Sequence, residues 1–295
     1  MTPVPEATPR GSDTPGTSVG SLPTSAGTVT WVEYGTGPTV VLLHANPGSA
    51  DDFSGVIPSL AEHYRVIAVD WPGYGASADL AGDFGGAPSY ADVLLELLDH
   101  WRASGMPIPV ALIGNSVGGY AALVAANRRP DLVSALVLIA PGGFTDLNPA
   151  TRAFCAAVGN PRIGRWLASP LAHLYLRRRT PASRAHLQTA RAVRQHPERI
   201  RAFSAVWRSF LNPAHDLRSL PPPHCPILLT WGRFDPVVPA VTDGRRSARV
   251  LGTDIHTFAT GHMPQAEDPD AWLELALPFL TRCASTLPES SEAHG

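Results

Sequence analysis

The sequence of 295 residues predicts an α/β fold with a mainly parallel central sheet, helices on both faces and one helical insertion. Short apolar runs alternate with segments whose apolar residues recur at helical spacing. Most of these runs are apolar throughout, which is typical of parallel strands buried on both faces. The alternation stops once, between about residues 144 and 220. This segment contains helical patterns interrupted by prolines, and no clear strand is predicted in it.

Each predicted element has a local signal. A Gly-Thr-Gly-Pro turn ends the first strand, and the longest helix, Tyr90–Ser104, has apolar residues three and four positions apart. Glycine or proline follows several later strands. In chain order, strands are predicted at Thr28–Tyr34, Thr39–His44, Tyr64–Asp70, Pro109–Gly114, Leu136–Ala140, Pro226–Trp231 and Asp254–Ala259, and further helices at Gly118–Asn127 and Asp270–Arg282.

These elements divide the chain into a core, a cap and two tails. We expect the α/β core to span residues 28–143 and 221–283, with a helical cap inserted at residues 144–220. Residues 1–27 are rich in Pro, Thr, Ser and Gly, and residues 284–295 are similar, so both ends are predicted to be flexible tails.

Composition and charge exclude several classes of protein. The net charge of −2 gives no global positive field for nucleic acid or an anionic membrane, so neither is an expected partner. Every basic residue counted in that charge is Arg, and the absence of Lys excludes Schiff-base chemistry and a Walker-type phosphate loop. The N-terminus lacks the charge and apolar order of a signal peptide, and the three cysteines form no CxxC pair. These features favour a cytoplasmic protein without a disulfide framework.

The predicted cap differs in charge from the rest of the chain. It holds 13 of the 23 arginines and three acidic residues, an excess of ten positive charges. Such a segment is either a solvated arginine-rich surface or a lid that attracts anions.

The strongest chemical signal is Gly114-Asn115-Ser116-Val117-Gly118, which lies between a predicted strand and a predicted helix. A serine on a sharp strand-to-helix turn adopts a strained backbone conformation. Glycines are needed at the flanking positions because neighbouring backbone segments lie too close for a side chain. The turn lifts the hydroxyl of Ser116 out of the sheet and points the Val117 N–H toward a developing oxyanion. Ser116 is therefore the candidate nucleophile.

A serine nucleophile needs a base and an acid that orients the base. Both are expected on loops that follow strands. Asp235 and His262 each follow a predicted strand closely, so they are the candidate acid and base. Asp243 and Asp254 are nearby competitors for the acid, and either partner could instead have a structural role.

Several further motifs resemble those of the α/β-hydrolase superfamily over roughly residues 28–283. His44-Ala45-Asn46-Pro47-Gly48 is similar to the family's HGxPG oxyanion loop, and residues 70–77 are similar to its D-x-x-G-x-G-x-S loop. The order Ser116, Asp235, His262 also matches the family order. The resemblance implies an α/β-hydrolase fold whose cap covers the site, and it makes His44 a loop-shaping residue.

The resemblance also implies a reaction. Ser116, His262 and Asp235 would hydrolyse a small ester, lactone or thioester through an acyl-enzyme, with no metal or organic cofactor. The oxyanion would be bound by the Val117 N–H and by the N–H of Ala45 or Asn46, and the Asn46 side chain is a further candidate donor. The family usually has Gly where this chain has Ala45. A small-molecule substrate is the expected partner, and the oligomeric state and substrate-binding residues stay open.

Other reactions and roles remain open on the same scaffold. Asn115 beside the nucleophile resembles the carbon–carbon bond hydrolases, although the Trp that usually follows their catalytic His is replaced by Met263-Pro264-Gln265. Acyl transfer, cofactor-free oxygenation and a lyase step are alternatives, as is a non-catalytic ligand receptor. Epoxide hydrolases and haloalkane dehalogenases use an Asp nucleophile, so Ser116 argues against both.

Overall fold

A computed structural model describes residues 17–77 and 79–285. The described residues form one eight-stranded sheet in the order β1-β2-β4-β3-β5-β6-β7-β8. β2 pairs antiparallel with β1 and β4, and every other neighbouring pair is parallel, as the apolar runs predict. The strands are β1 Ser18–Thr24, β2 Gly27–Tyr34, β3 Thr39–Leu43, β4 Arg65–Asp70, β5 Val110–Asn115, β6 Val133–Ile139, β7 Ile227–Gly232 and β8 Ile255–Phe258.

Helices cover both faces of this sheet, because the central strands are apolar on both sides. One large cluster of buried side chains joins the sheet to α2 and α3, and a second joins the opposite face to α1 and α10. The α-helices are α1 Ile57–Ala61, α2 Ala87–Ala103, α3 Val117–Arg128, α4 Pro149–Val158, α5 Pro161–Tyr175, α6 Pro181–Ala192, α7 Pro197–Ser209, α8 Arg245–Leu251, α9 Pro264–Glu267 and α10 Pro269–Ala284.

A helical cap is inserted between β6 and β7. It contains α4 to α7, and three of these helices begin at an Asn or Thr side chain that accepts a backbone N–H, followed at once by proline. The prolines that interrupt this stretch of sequence therefore start helices as well as break them. The cap is anchored to the core where the Ser209 hydroxyl accepts a hydrogen bond from Ala87 N at 3.1 Å.

The prediction that residues 1–27 form a flexible tail is wrong for about the last third of this segment. Strand β1 pairs with β2 from Ser18 opposite Glu33 to Thr24 opposite Gly27, and Glu96 of α2 accepts hydrogen bonds from Ser25 in the connecting turn. An edge strand gains stability from backbone pairing, so a composition of small polar residues does not exclude it.

The predicted boundary of the C-terminal tail at residue 284 also moves slightly, because α10 runs to Ala284. The remaining parts of both predicted tails, residues 1–16 and 286–295, lie outside the described residues.

Within the described ranges, no helix is long and apolar enough to cross a membrane.

Candidate active site

The strand-to-helix turn at Ser116 has the strained geometry that its sequence predicts. Ser116 has φ 54° and ψ −112°, between the end of β5 and the start of α3. Neighbouring chain lies so close that a Cβ on Gly118 would be 2.2 Å from the carbonyl oxygen of Leu43. A side chain at Gly118 would therefore push α3 away from β3 and displace the turn that carries the serine.

The Ser116 side chain is half-buried and lines a cavity under the cap. Its hydroxyl forms no hydrogen bond with any residue in the described ranges, whereas its carbonyl oxygen accepts from Gly142 N at 3.0 Å. The backbone is thus held while the hydroxyl is left available to a reacting group. Hydrogen bonds between nucleophile and base are often formed only once substrate is bound.

Asp235 and His262 are brought together as a buried pair. The imidazole Nδ1 of His262 forms a hydrogen bond with Asp235 Oδ2, and each residue is 4% exposed. The other carboxylate oxygen, Oδ1, accepts from Val237 N at 2.9 Å and Val238 N at 3.1 Å. These two backbone donors fix the carboxylate, which in turn fixes the ring so that Nε2 is left to exchange a proton.

Neither competing acid pairs with His262 in the described ranges, and Asp254 is exposed just before β8. Asp243 accepts a hydrogen bond from the Thr145 hydroxyl at 2.9 Å and pairs with Arg246, and burial raises the pKa of its carboxyl. The His44 ring accepts from Trp71 N at 2.9 Å through Nε2, so Nδ1 carries the proton and donates to Ala45 O at 2.7 Å. His44 therefore holds the loop after β3, as the resemblance implies.

Three backbone N–H groups are candidates for the oxyanion site. The Val117 N–H is the first of α3 and has no acceptor within its helix. The N–H groups of Ala45 and Asn46 donate to no residue in the described part of the chain. The Asn46 side chain is committed elsewhere, since Nδ2 donates to Phe203 O at 3.2 Å and Oδ1 accepts from Tyr74 at 2.7 Å. The side-chain amide of Asn46 therefore attaches the cap to the loop after β3.

The cavity beside Ser116 is mainly apolar. Its walls come from the cap and from the loop after β7. Burial raises the pKa of the Cys155 thiol in its wall to about 11, which keeps that thiol neutral. The main apolar lining residues are Phe154, Cys155, Trp207, Phe210, Val237 and Val238.

Glu267 organises the loop that carries His262, and sequence reasoning missed it. The buried carboxylate accepts from Gly261 N at 3.2 Å and Met263 N at 3.3 Å on either side of the histidine. It also accepts from Arg177 N and Arg178 N at 2.7 and 2.9 Å, just beyond α5. The available signal is an acidic residue five positions after the motif histidine.

A second missed group ties the cap to the core through a buried chain of hydrogen bonds. The Tyr175 hydroxyl meets His186 Nε2 at 2.6 Å, and His186 Nδ1 lies 3.0 Å from Asp52 Oδ1. The Tyr175 ring also packs edge-on against the His262 ring, with centroids 5.2 Å apart. These residues are far apart in sequence and belong to no local motif, so no pattern in the chain connects them.

Comparison with known proteins identifies the family. A sequence profile described as the alpha/beta hydrolase fold matches residues 38–269, which is most of the chain. The chain belongs to the α/β-hydrolase fold family. The resemblance carried by its motifs is therefore confirmed, and so is the predicted fold class.

Individual relatives agree with this assignment. An uncharacterized protein of Mycobacterium tuberculosis is 28% identical over 83% of this chain and 76% of that protein. The 2-hydroxy-6-oxononadienedioate/2-hydroxy-6-oxononatrienedioate hydrolase of Escherichia coli is 27% identical over 83% of this chain and 87% of that enzyme. The solved structure of a thermophilic esterase from Thermogutta terrifontis superposes with a TM-score of 0.72, at 24% identity, over 90% of this chain and 99% of the esterase.

Proposed function

We propose that this α/β hydrolase is a serine hydrolase that cleaves a small ester, lactone or thioester with an apolar body through an acyl-enzyme. One observation carries the proposal. The buried Asp235–His262 pair and the strained Ser116 lie on the strand-end loops of one sheet, and Ser116 lines an apolar cavity. Acyl transfer requires an oriented imidazole and a serine hydroxyl on neighbouring loops. The two loops do meet here, since Asn115, the residue before Ser116, donates from Nδ2 to His262 O at 3.4 Å.

The reaction follows from these groups. Ser116 Oγ attacks the carbonyl carbon while His262 Nε2 takes the hydroxyl proton, and Asp235 balances the imidazolium. The Val117 N–H and the N–H of Ala45 or Asn46 stabilise the oxyanion. The imidazolium returns the proton to the leaving oxygen or sulfur, and a water activated by the same histidine then hydrolyses the acyl-enzyme.

The test pairs a fluorophosphonate probe with a panel of p-nitrophenyl esters of increasing acyl length. Ser116→Ala should abolish labelling and lower kcat/KM by on the order of 10³-fold or more. Ser54→Ala, at an exposed serine outside the cap, is the matched control and should behave as wild type. Labelling that survives Ser116→Ala would refute the assigned nucleophile.

Hydrolysis of a carbon–carbon bond is the second candidate, and Arg199 of the cap favours it. Arg199 is half-buried, interacts electrostatically with Tyr74 and Asp70, and forms no ion pair or hydrogen bond with any described residue. Burial lowers the pKa of its guanidinium, because the charged form is desolvated. Tyr74 bonds in turn to Asn46 of the loop after β3.

A partly desolvated arginine that interacts with Tyr74 suits a substrate carboxylate, such as the acid groups named in the E. coli relative. The discriminating experiment compares neutral esters with half-esters of dicarboxylic acids, and adds a 2-hydroxy-6-oxo-dienoic acid followed by its ultraviolet absorbance. Arg199→Gln should raise KM for the acidic substrates about tenfold or more and leave neutral esters unchanged. Equal effects on both classes would remove the second candidate.

A further inference from the structure

Helix α5 presents an apolar stripe on the outside of the cap. The buried residues of this helix are Gly164, Ala168, Ala172 and Tyr175, four and three positions apart. A second set, Ile163, Trp166, Pro170 and Leu174, recurs at helical spacing on a different side of the helix. The stripe is exposed, with Trp166 at 59% and Leu174 at 61%. Over these 12 residues it is roughly 17 Å long, since a helix rises 1.5 Å per residue.

Arginines border this stripe. The guanidinium carbons of Arg165 and Arg194 lie 5.5 and 5.6 Å from the Trp166 ring centroid, and Arg191 lines the same shallow groove between α5 and α6. Within the described ranges these guanidinium groups have only uncharged partners, since Arg165 Nη2 donates to Arg194 O at 3.3 Å and Arg191 Nη2 lies 3.2 Å from His173 Nε2. The stretch 147–197 contains nine arginines and no acidic residue. The modest net charge of the whole chain therefore conceals a strongly positive cap.

We propose that this face of the cap docks on an anionic lipid surface. Ile163, Trp166 and Leu174 would enter the boundary between headgroups and acyl chains, while Arg165, Arg191 and Arg194 bind lipid phosphates. An amphipathic helix with Trp and aliphatic residues on one side and Arg beside them is suited to such an interface. This proposal replaces the expectation, drawn from net charge, that a membrane is not a partner.

Charge argues against a second copy of the chain as the occupant. Two copies that met through this face would bring their unneutralised arginines together with no carboxylate in residues 147–197 to pair with them. Aliphatic side chains in line with Trp166 also match acyl chains better than stacked bases, which need aromatic platforms.

The C-terminal end of the stripe lies at a groove that shares lining residues with the cavity. Leu174, together with Phe154 and Val237, lines this groove, and Phe154 and Val237 also line the cavity beside Ser116. A cap docked through α5 would place the groove close to the lipid surface. An amphiphilic ester could then pass from the surface into the cavity, a step that rests on the proposed function.

The test measures co-sedimentation of the full chain with vesicles of equal parts phosphatidylglycerol and phosphatidylcholine, and with vesicles of phosphatidylcholine alone. Binding should require the anionic lipid and weaken as the salt rises from about 50 to about 500 mM, because salt screens the arginines. Trp166→Ala should lower the partition coefficient about tenfold. The double variant Arg165→Gln with Arg194→Gln should lower the partition coefficient roughly 30-fold, because the loss of each charge should lower it about fivefold.

Matched controls separate binding from folding and from catalysis. Val19→Ser removes an equally exposed apolar side chain on β1, and Arg249→Gln removes an exposed arginine on α8, so both should bind as wild type. Ser116→Ala should also bind as wild type, whatever its activity. Absence of binding to anionic vesicles, equal binding to phosphatidylcholine, or a dimer in light scattering that Trp166→Ala dissociates would each overturn the proposal.

Discussion

Replacing Asp235 by Asn tests the orienting role of the carboxylate. In the wild type, Oδ1 accepts two backbone N–H groups and Oδ2 accepts from His262. If the oxygen of the introduced amide keeps the two backbone donors, its NH₂ group faces Nδ1 of His262. The ring must then carry its proton on Nε2, and it can no longer take one from Ser116.

The opposite orientation of the introduced amide preserves the active ring but leaves the N–H groups of Val237 and Val238 without an acceptor. Each buried donor left unsatisfied costs about 1–3 kcal/mol. The free energy of this orientation is therefore roughly 2–6 kcal/mol above that of the first orientation. At about 1.4 kcal/mol per factor of ten, kcat should fall between about 30-fold and 10⁴-fold.

The assay measures kcat and KM on the best p-nitrophenyl ester and checks the fold by thermal unfolding. KM should change little, because Asp235 is buried and is not among the residues that line the cavity. Asp243→Asn is the matched control, since this acid lies in the segment after the same strand but bonds to Thr145 and Arg246. A kcat for Asp235→Asn within tenfold of wild type would refute the orienting role.

Three further predictions concern the surroundings of the site. Gly118→Ala should lower the free energy of unfolding by about 1–3 kcal/mol in chemical denaturation, because its Cβ would meet Leu43 O, whereas Gly85→Ala should be nearly neutral. Glu267→Gln should leave one of four backbone donors unsatisfied and lower kcat more than it raises KM, a split that steady-state kinetics would reveal. Since the pKa of Cys155 is about 11, iodoacetamide should modify it about 100-fold more slowly at pH 7 than an exposed thiol, and faster as the pH rises; equal rates would contradict the burial argument.

The sequence predicts the central strands because their signal is local. Thr39–Leu43 and Val110–Asn115 are continuous apolar runs bounded by turn residues, and the structure places them side by side in the sheet. The turn at Ser116 is predictable for the same reason, since its glycines and its neighbouring strand and helix are adjacent in the chain. Strand β1 was missed because backbone pairing at a sheet edge leaves little mark on composition.

Contacts that join distant segments leave no comparable signal. The chain from Tyr175 through His186 to Asp52 spans 134 positions between its last two members, and none of the three lies in a motif. Arg199 is one of 13 arginines in the predicted cap, and its desolvation depends on how α7 lies across the core. Composition shows that the cap is basic, but tertiary packing decides which arginine is partly desolvated.

The attachment of the cap constrains how substrate can reach Ser116. The carbonyl oxygen of Tyr175 accepts the His262 N–H at 2.9 Å, and it lies so close to Gly261 that a Cβ there would be 1.8 Å away. Glu267 adds hydrogen bonds to the segment just beyond α5. Lifting this end of the cap would therefore disturb the loop that carries His262.

The opposite side of the cap is also tied to a functional loop, because Asn46 donates to Phe203 O of α7. The groove beside α4 offers a route that leaves both attachments intact, since Phe154 of α4 lines this groove and the cavity alike. Access past α4 would therefore let the cap admit a substrate without releasing either the histidine loop or the loop after β3. Phe154→Trp should lower kcat/KM for bulky esters more than for acetate esters. An equal loss of kcat/KM for both classes would argue that substrate enters elsewhere.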